Sequence, residues 1–253
     1  PDKKAIVIAA DYAKYGLEST GEYTQGAGAV AVLISNEPNL IEFENKWGIG
    51  MESVFDFFKP RQITTDQSIL ETLTTTKTEV EIFSDEPVFD GQYSNECYKD
   101  RVREAYFNFK EKYNVTGKLY EDWRYIAFHL PYAFQGKRMF NDVFALENGE
   151  ENSADNLKIV AKSDAYKQLV KEKLDATQRA SSEIGNMYTA SIFTALLSAL
   201  QVSSDNNEEL VGQKIGFIAY GSGSKSKVFE GIVSEHWKTV MKKINLFELL
   251  ENR

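Results

Sequence analysis

The chain has 253 residues, 42% of them apolar and 13% aromatic, and a net charge of −9. It is long enough for one large domain or two small ones with a substantial core, and its acidic balance argues against a nucleic-acid footprint or an anionic membrane surface. Its single cysteine, Cys97, excludes an internal disulfide and fits a reducing, cytoplasmic compartment; no apolar run approaches the ~18 residues that a membrane span needs.

The opening, PDKKAIVIAAD, carries no initiator Met and no signal peptide and goes almost at once into a strand, which is how the interior of a longer protein begins; an N-terminal portion is expected upstream. KKAIVIAAD (3–11) is a continuous apolar run and predicts a strand buried on both faces. After a loop, GAGAVAVLIS (26–35) predicts a second buried strand, whose small residues allow a close backbone neighbour. PNLIEFEN alternates and predicts a third, more exposed strand. SVFDFFKP (53–60) stops at Pro60 as a short turn-like segment, and 61–79 is polar.

Tyr98, Val102, Ala105, Tyr106, Phe109 and Tyr113 recur at helical spacing and predict a helix over 95–113. WRYIAFH (123–129) is a buried strand. Met139, Phe140, Val143 and Phe144 mark a second amphipathic helix, and ENGEENSADN (147–156) a surface loop. A charged helix follows over 163–180. Another lies within 181–201 and is apolar on nearly all sides from Met187 to Leu200, which predicts a central buried helix. Residues 213–233 give strand, Gly-Ser turn, strand, and the remainder a terminal amphipathic helix. The fold class is α/β and layered, with central helices covered by sheet.

Three features could carry chemistry. His129, one of only two histidines, ends a strand, where the site crevice of open α/β sheets lies; its imidazole could donate to a carbonyl or shuttle a proton, or be a structural group bonded to backbone. Asn186, in IGNMY, stands at the expected N-cap of the buried helix, as a simple cap or as an amide polarising a carbonyl oxygen. The AYGSGS turn (219–224) is either a tight hairpin or a set of N–H groups aimed at an oxyanion. Cys97 falls near the start of the 95–113 helix, where a helix N-terminus lowers a thiol pKa, yet on the packing face, which favours a core role. Two isolated histidines and one cysteine provide no metal-ligand spacing.

Six segments, GEYTQGAGAVAVLI, VFDFFKP, FDGQYSNECY, FHLPY, GNMYTAS and IGFIAYGSGS, occur in this order along almost the whole chain. In these the sequence resembles the 3-hydroxy-3-methylglutaryl-coenzyme A synthase family of the thiolase superfamily, over its C-terminal portion. The resemblance implies a thiolase-like layered fold with buried central helices between sheets, residues 1–36 ending the N-terminal half and 37–253 forming the C-terminal domain. It implies condensation of acetyl-CoA with acetoacetyl-CoA in the mevalonate route, with these coenzyme A thioesters as substrates, no permanently bound cofactor, no nucleic-acid or membrane partner, and a homodimer. His129 matches the histidine that binds and polarises the acceptor. Asn186, Tyr188, Pro131 and the Gly221–Ser222–Gly223 turn match the pocket around it, and Asp11 and Asp56 match acidic positions of the active site.

Against the family pattern, the nucleophilic cysteine and catalytic glutamate fall upstream of residue 1, and Cys97 matches a non-catalytic position. Phe134 stands where a lysine for coenzyme A phosphates or an acyl carrier is expected, while Lys137 and Arg138 follow one turn later as candidate phosphate contacts. Two other readings stay open: a β-branching synthase acting on carrier-protein-bound β-ketoacyl chains, and a non-catalytic interaction protein that kept the fold.

Overall fold

In the computed structural model, which describes residues 3–252, two apolar runs near the start of the chain pair with each other and with little else. Pro1, Asp2 and Arg253, the outer ends of the expected 1–36 and 37–253 segments, lie outside the described residues. Strands β1 (Ala5–Tyr12) and β2 (Ala27–Ile34) form an antiparallel two-stranded ribbon, with Ala5 opposite Ile34 and Tyr12 opposite Ala27. The expectation that both strands are buried does not hold. Ile6 and Ile8 are 68% and 69% exposed, and Val7 and Leu33 are exposed as well. Burial on two faces needs a layer on each side. Among the described residues only the end nearest Tyr12 is closely packed: a Cβ added to Gly28 would stand 2.0 Å from Met187 Sδ.

The third strand is longer than expected, β3 (Ile41–Met51). The stretch read as a turn and polar sequence folds into β4 (Phe57–Phe58), β5 (Arg61–Thr64), α1 (Gln67–Thr72), β6 (Val80–Phe83) and β7 (Val88–Phe89), with β4 against β7 and β5 against β6. Elements of two to six residues are too short to carry a period. Helix α2 (Gly91–Lys112) begins four residues before the spacing predicts, because the Asp90 carboxylate accepts from the backbone N–H of Gln92 and Tyr93, both at 2.9 Å. Its Tyr98, Val102, Ala105, Tyr106 and Phe109 are buried as expected.

Next come the buried strand β8 (Trp123–Phe128) and α3 (Gln135–Glu147). A short helix, α4 (Ala154–Val160), occupies the end of the expected loop, capped by Ser153. The charged helix is one continuous run, α5 (Asp164–Leu169) passing through a π-turn at Val170–Leu174 into α6 (Asp175–Ile184). Helix α7 (Ser191–Asp205) is the central helix, with Ile192, Ala195, Leu196, Ala199 and Leu200 all buried. Strands β9 (Lys214–Gly221) and β10 (Lys225–Val233) form the predicted hairpin. The terminal helix is broken into α8 (Trp237–Ile244) and α9 (Leu246–Glu251) by Asn245, which takes the left-handed conformation at φ +45°. None of the described helices is long and apolar enough to cross a membrane.

The main sheet has the order β3–β10–β9–β8. β10 runs antiparallel to both β3 and β9, and β8 runs parallel to β9. Strands β3, β9 and β8 therefore point the same way, and their C-terminal ends meet at one end of the sheet. Helices α2 and α3 cover one face and α7 the other. Trp123 and Phe128 of β8 meet Tyr106 and Phe140 on the first side, whereas Tyr125 bonds Ser203 of α7, the irregularity at Arg124 switching the alternation. Glycines set the spacing: a Cβ on Gly48 of β3 would lie 2.1 Å from the Ala105 carbonyl oxygen, so α2 rests directly on the strand. The sheet covers one side of α7, and α6, α8 and α9 pack on its others.

Candidate active site

Because three strands end together, residues far apart in sequence meet beyond them. His129 follows β8, and its N–H bonds the Ile218 carbonyl at 3.0 Å, extending the parallel ladder by one residue. Asp56 follows β3. The Gly221–Ser222–Gly223 turn joins β9 to β10. Crevices of open α/β sheets form at such strand ends.

Asp56 is fully buried and anchors the turn: its carboxylate accepts from the Gly223 N–H at 2.7 Å and from the Tyr220 hydroxyl. The Gly223 N–H is thus turned inward and is not offered to a ligand, which corrects the expectation for that residue, while Gly221 and Ser222 are exposed. The Tyr220 ring stacks on Tyr98 at 4.1 Å, and the Tyr98 hydroxyl donates to the His129 carbonyl at 2.6 Å. A continuous chain of contacts therefore runs from Asp56 to the backbone of His129.

The His129 ring is held from α7. Its Nδ1 lies 2.9 Å from Ser191 Oγ, and the same oxygen accepts the Leu130 N–H at 3.0 Å. Burial pushes the imidazole down to about 4, against a weaker opposing hydrogen bond with the Tyr188 backbone, so the ring is neutral near pH 7. Its folded pKa lies below the ordinary ~6.5. The stability it contributes is therefore complete above about pH 6.5 and is lost as pH falls from there towards 4, a shift worth on the order of 3 kcal/mol. Urea unfolding at pH 7 and pH 4.5 checks this: His129→Gln is expected to lose less stability than the parent by roughly 2 kcal/mol, and equal losses would contradict it.

Asn186 is buried but five residues ahead of α7, whose N-cap is Ala190, so it does not cap that helix. Instead its Oδ1 accepts the Tyr188 N–H at 2.8 Å in an Asx turn, and its Nδ2 donates to the Tyr15 hydroxyl at 3.1 Å. A second Nδ2 hydrogen remains for another acceptor. Tyr188 sits in the left-handed region at φ +44°, an unfavourable conformation for an aromatic residue and one concentrated at functional turns. Its ring meets Phe57 edge-on at 6.1 Å, with Lys59 Nζ 5.7 Å from its centre.

The remaining candidates are more peripheral. Pro131 is half-buried in the loop after His129. Phe134 is 60% exposed, Lys137 Nζ lies 4.0 Å from its ring centre, and Arg138 donates to the Tyr132 hydroxyl at 3.1 Å. Both cations thus stand beside aromatic partners at the start of α3. Asp11 lies on the ribbon, exposed, with its carboxylate accepting its neighbour's N–H, Tyr12, at 2.8 Å; no hydrogen bond joins it to the His129 cluster, although its charge is felt at Tyr188. Cys97 lies two turns into α2 instead of at its start, and burial pushes its thiol up, the wrong direction for a nucleophile.

Sequence reasoning missed Ser191, Tyr98, Tyr220 and Tyr15. Ser191 and Tyr220 lie inside YTAS and AYGSGS, but nothing in a linear motif says that a serine side chain reaches a strand end 62 residues away.

A model of the hydroxymethylglutaryl-coenzyme A synthase C-terminal family matches residues 77–253. A hydroxymethylglutaryl-CoA synthase of Enterococcus faecalis is 30% identical over 253 residues, a match covering 100% of this chain and 55% of that protein. One of Haloferax volcanii is 28% identical over 279 aligned residues, covering 99% of this chain and 57% of that protein. A solved structure of MvaS in complex with 3-hydroxy-3-methylglutaryl coenzyme A superposes with a TM-score of 0.79 at 29% identity, covering 99% of this chain and 57% of that one. This chain spans about half the length of the relatives it matches.

Proposed function

The chain belongs to the hydroxymethylglutaryl-coenzyme A synthase family, and from that premise we propose that it supplies the acceptor-binding half of an enzyme that condenses acetyl-CoA with acetoacetyl-CoA, giving 3-hydroxy-3-methylglutaryl-CoA and CoA. The observation that carries this reading is the convergence of His129, the Asn186 turn and the Asp56-anchored Gly-Ser turn beyond three strand ends. The MvaS relative's complex with the product thioester supports coenzyme A thioesters as the ligand class.

In this assignment His129 and Asn186 face the reacting acyl groups, and Tyr188, Pro131, Gly221, Ser222 and Gly223 shape the pocket. Asp56 acts by holding the turn in place. Lys137 and Arg138 offer point charges to the coenzyme A phosphates, and Asp11 sets the local potential beside Tyr188. Carbon–carbon bond formation through a thioester enolate requires donors for the developing alkoxide; Asn186 supplies an amide N–H, and His129, neutral near pH 7, supplies one only when its ring is protonated.

The nucleophilic cysteine and the general-base glutamate belong to a further portion of the same protein. Two observations support this: the relatives are nearly twice as long, and the apolar ribbon β1–β2 lies bare. The single thiol, Cys97, is pushed up by burial. The same reading carries the mevalonate route, a cytoplasmic setting and a homodimeric assembly.

A release assay for CoA with acetyl-CoA and acetoacetyl-CoA tests it. The 253-residue chain alone is expected to give no steady turnover, and the complete protein to give it with acetoacetyl-CoA. Turnover by the isolated chain would contradict the division of labour. Turnover only with an acetoacetyl-carrier protein would favour the β-branching reading, which Phe134 in the expected lysine position raises.

A further inference from the structure

Ser191 Oγ is fully buried and has three polar neighbours: the Tyr188 carbonyl oxygen at 2.7 Å, the Leu130 N–H at 3.0 Å and His129 Nδ1 at 2.9 Å. A hydroxyl has one hydrogen to give and two lone pairs to receive with. A carbonyl oxygen can only accept, so the hydroxyl hydrogen goes to Tyr188. The Leu130 N–H can only donate and takes one lone pair. One lone pair remains, and only a hydrogen on Nδ1 fills it.

We infer that Ser191 is a positioning residue that holds His129 as the Nδ1–H tautomer, leaving Nε2 as a bare acceptor. This rests on the reading of His129 as the acceptor-side group. It deepens that reading in one respect: a neutral His129 meets its ligand as a hydrogen-bond acceptor, and it polarises a ketone oxygen only after Nε2 has gained a proton. Three elements fix the arrangement, since β8 supplies the histidine, α7 the serine, and the strained Tyr188 turn the carbonyl that takes the serine's hydrogen. The φ of +44° at Tyr188 therefore has a use, because it points that carbonyl at Ser191.

The test is a two-bond proton–nitrogen correlation spectrum of the ¹⁵N-histidine-labelled chain at about pH 7.5, where an ordinary histidine is neutral. Two histidines make assignment by a His236→Gln variant direct. The expected spectrum has a pyrrole-like Nδ1 and a pyridine-like Nε2 for His129. Ser191→Ala is expected to raise the Nε2–H population several-fold, and Ser191→Thr to restore the parent pattern. If the alanine variant fails to fold, Ser191→Cys, a poorer acceptor of similar size, takes its place. A pyridine-like Nδ1 in the parent overturns the inference, as does an unchanged pattern on removing the hydroxyl. Either result leaves the proposed function standing, because tautomer and substrate class are read by different measurements.

Discussion

Replacing His129 with alanine in the complete protein is expected to lower condensation with acetoacetyl-CoA by roughly 10²–10⁴-fold while leaving acetylation of the enzyme within a few-fold of the parent. The split follows from where the residue stands. His129 lies at the β8 terminus among the Asp56, Tyr220 and Tyr98 contacts, and none of these groups is the proposed nucleophile or its base. Truncation removes the ring and leaves Ser191 with two of its three polar contacts, but the backbone bonds to Ile218 and Tyr98 remain, so the strand end should keep its place. Mass measurement of the acetyl-enzyme against the rate of 3-hydroxy-3-methylglutaryl-CoA formation separates the two half-reactions. Collapse of acetylation with condensation no worse affected would place His129 on the donor side and overturn its assignment.

The second large effect concerns stability. Trp123 is fully buried at the start of β8, packed edge-on to Tyr106 at 6.0 Å, with its indole N–H donating to Glu230 at 2.6 Å. It fills the space that Gly216 leaves open, since a Cβ there would come within 2.2 Å of the indole ring. Trp123→Ala should therefore cost about 3–5 kcal/mol through cavity formation and lost contacts. Part of the loss falls on Glu230, whose carboxyl is already pushed up by burial and would lose its strongest donor, keeping Lys214 at 3.4 Å. Trp123→Phe recovers much of the volume but none of the hydrogen bond, and is expected to fall between, at roughly 1–3 kcal/mol. Urea midpoints of the three proteins give the comparison. A loss under about 1 kcal/mol for the alanine variant would mean that the site collapses around the gap.

How much of this was legible in the sequence depended on what each residue type reports. WRYIAF and KIGFIAYG declared themselves as core strands because their apolar runs are continuous, and Gly-Ser between two such strands declared a hairpin. The all-apolar stretch of α7 declared a buried helix for the same reason. KKAIVIAAD carries an equally strong signal, yet the strand is exposed, because an apolar run records the need for cover and not its presence. The 57–89 hairpins were invisible, being too short for a period, and α4 hid in a polar loop because Ser153 caps it through one hydroxyl. At the site, His129 and Asp56 could be picked out by type and motif. The partners that orient them, Ser191, Tyr98 and Tyr220, could not, since their roles come from parallel β8 and β9 ending side by side and from α7 starting beneath them.

The bare ribbon has a colloidal consequence. Two strands with Ile6, Ile8 and Leu33 facing solvent offer both an apolar surface and free backbone edges to any second copy. What opposes that encounter over distance is the net charge of −9, a repulsion that ionic strength weakens, with a screening length near 10 Å at about 0.1 M salt. Apolar attraction is not screened in this way. Added salt should thus drive the 253-residue chain to self-associate, whereas a protein that keeps its ribbon covered would be indifferent to the same addition.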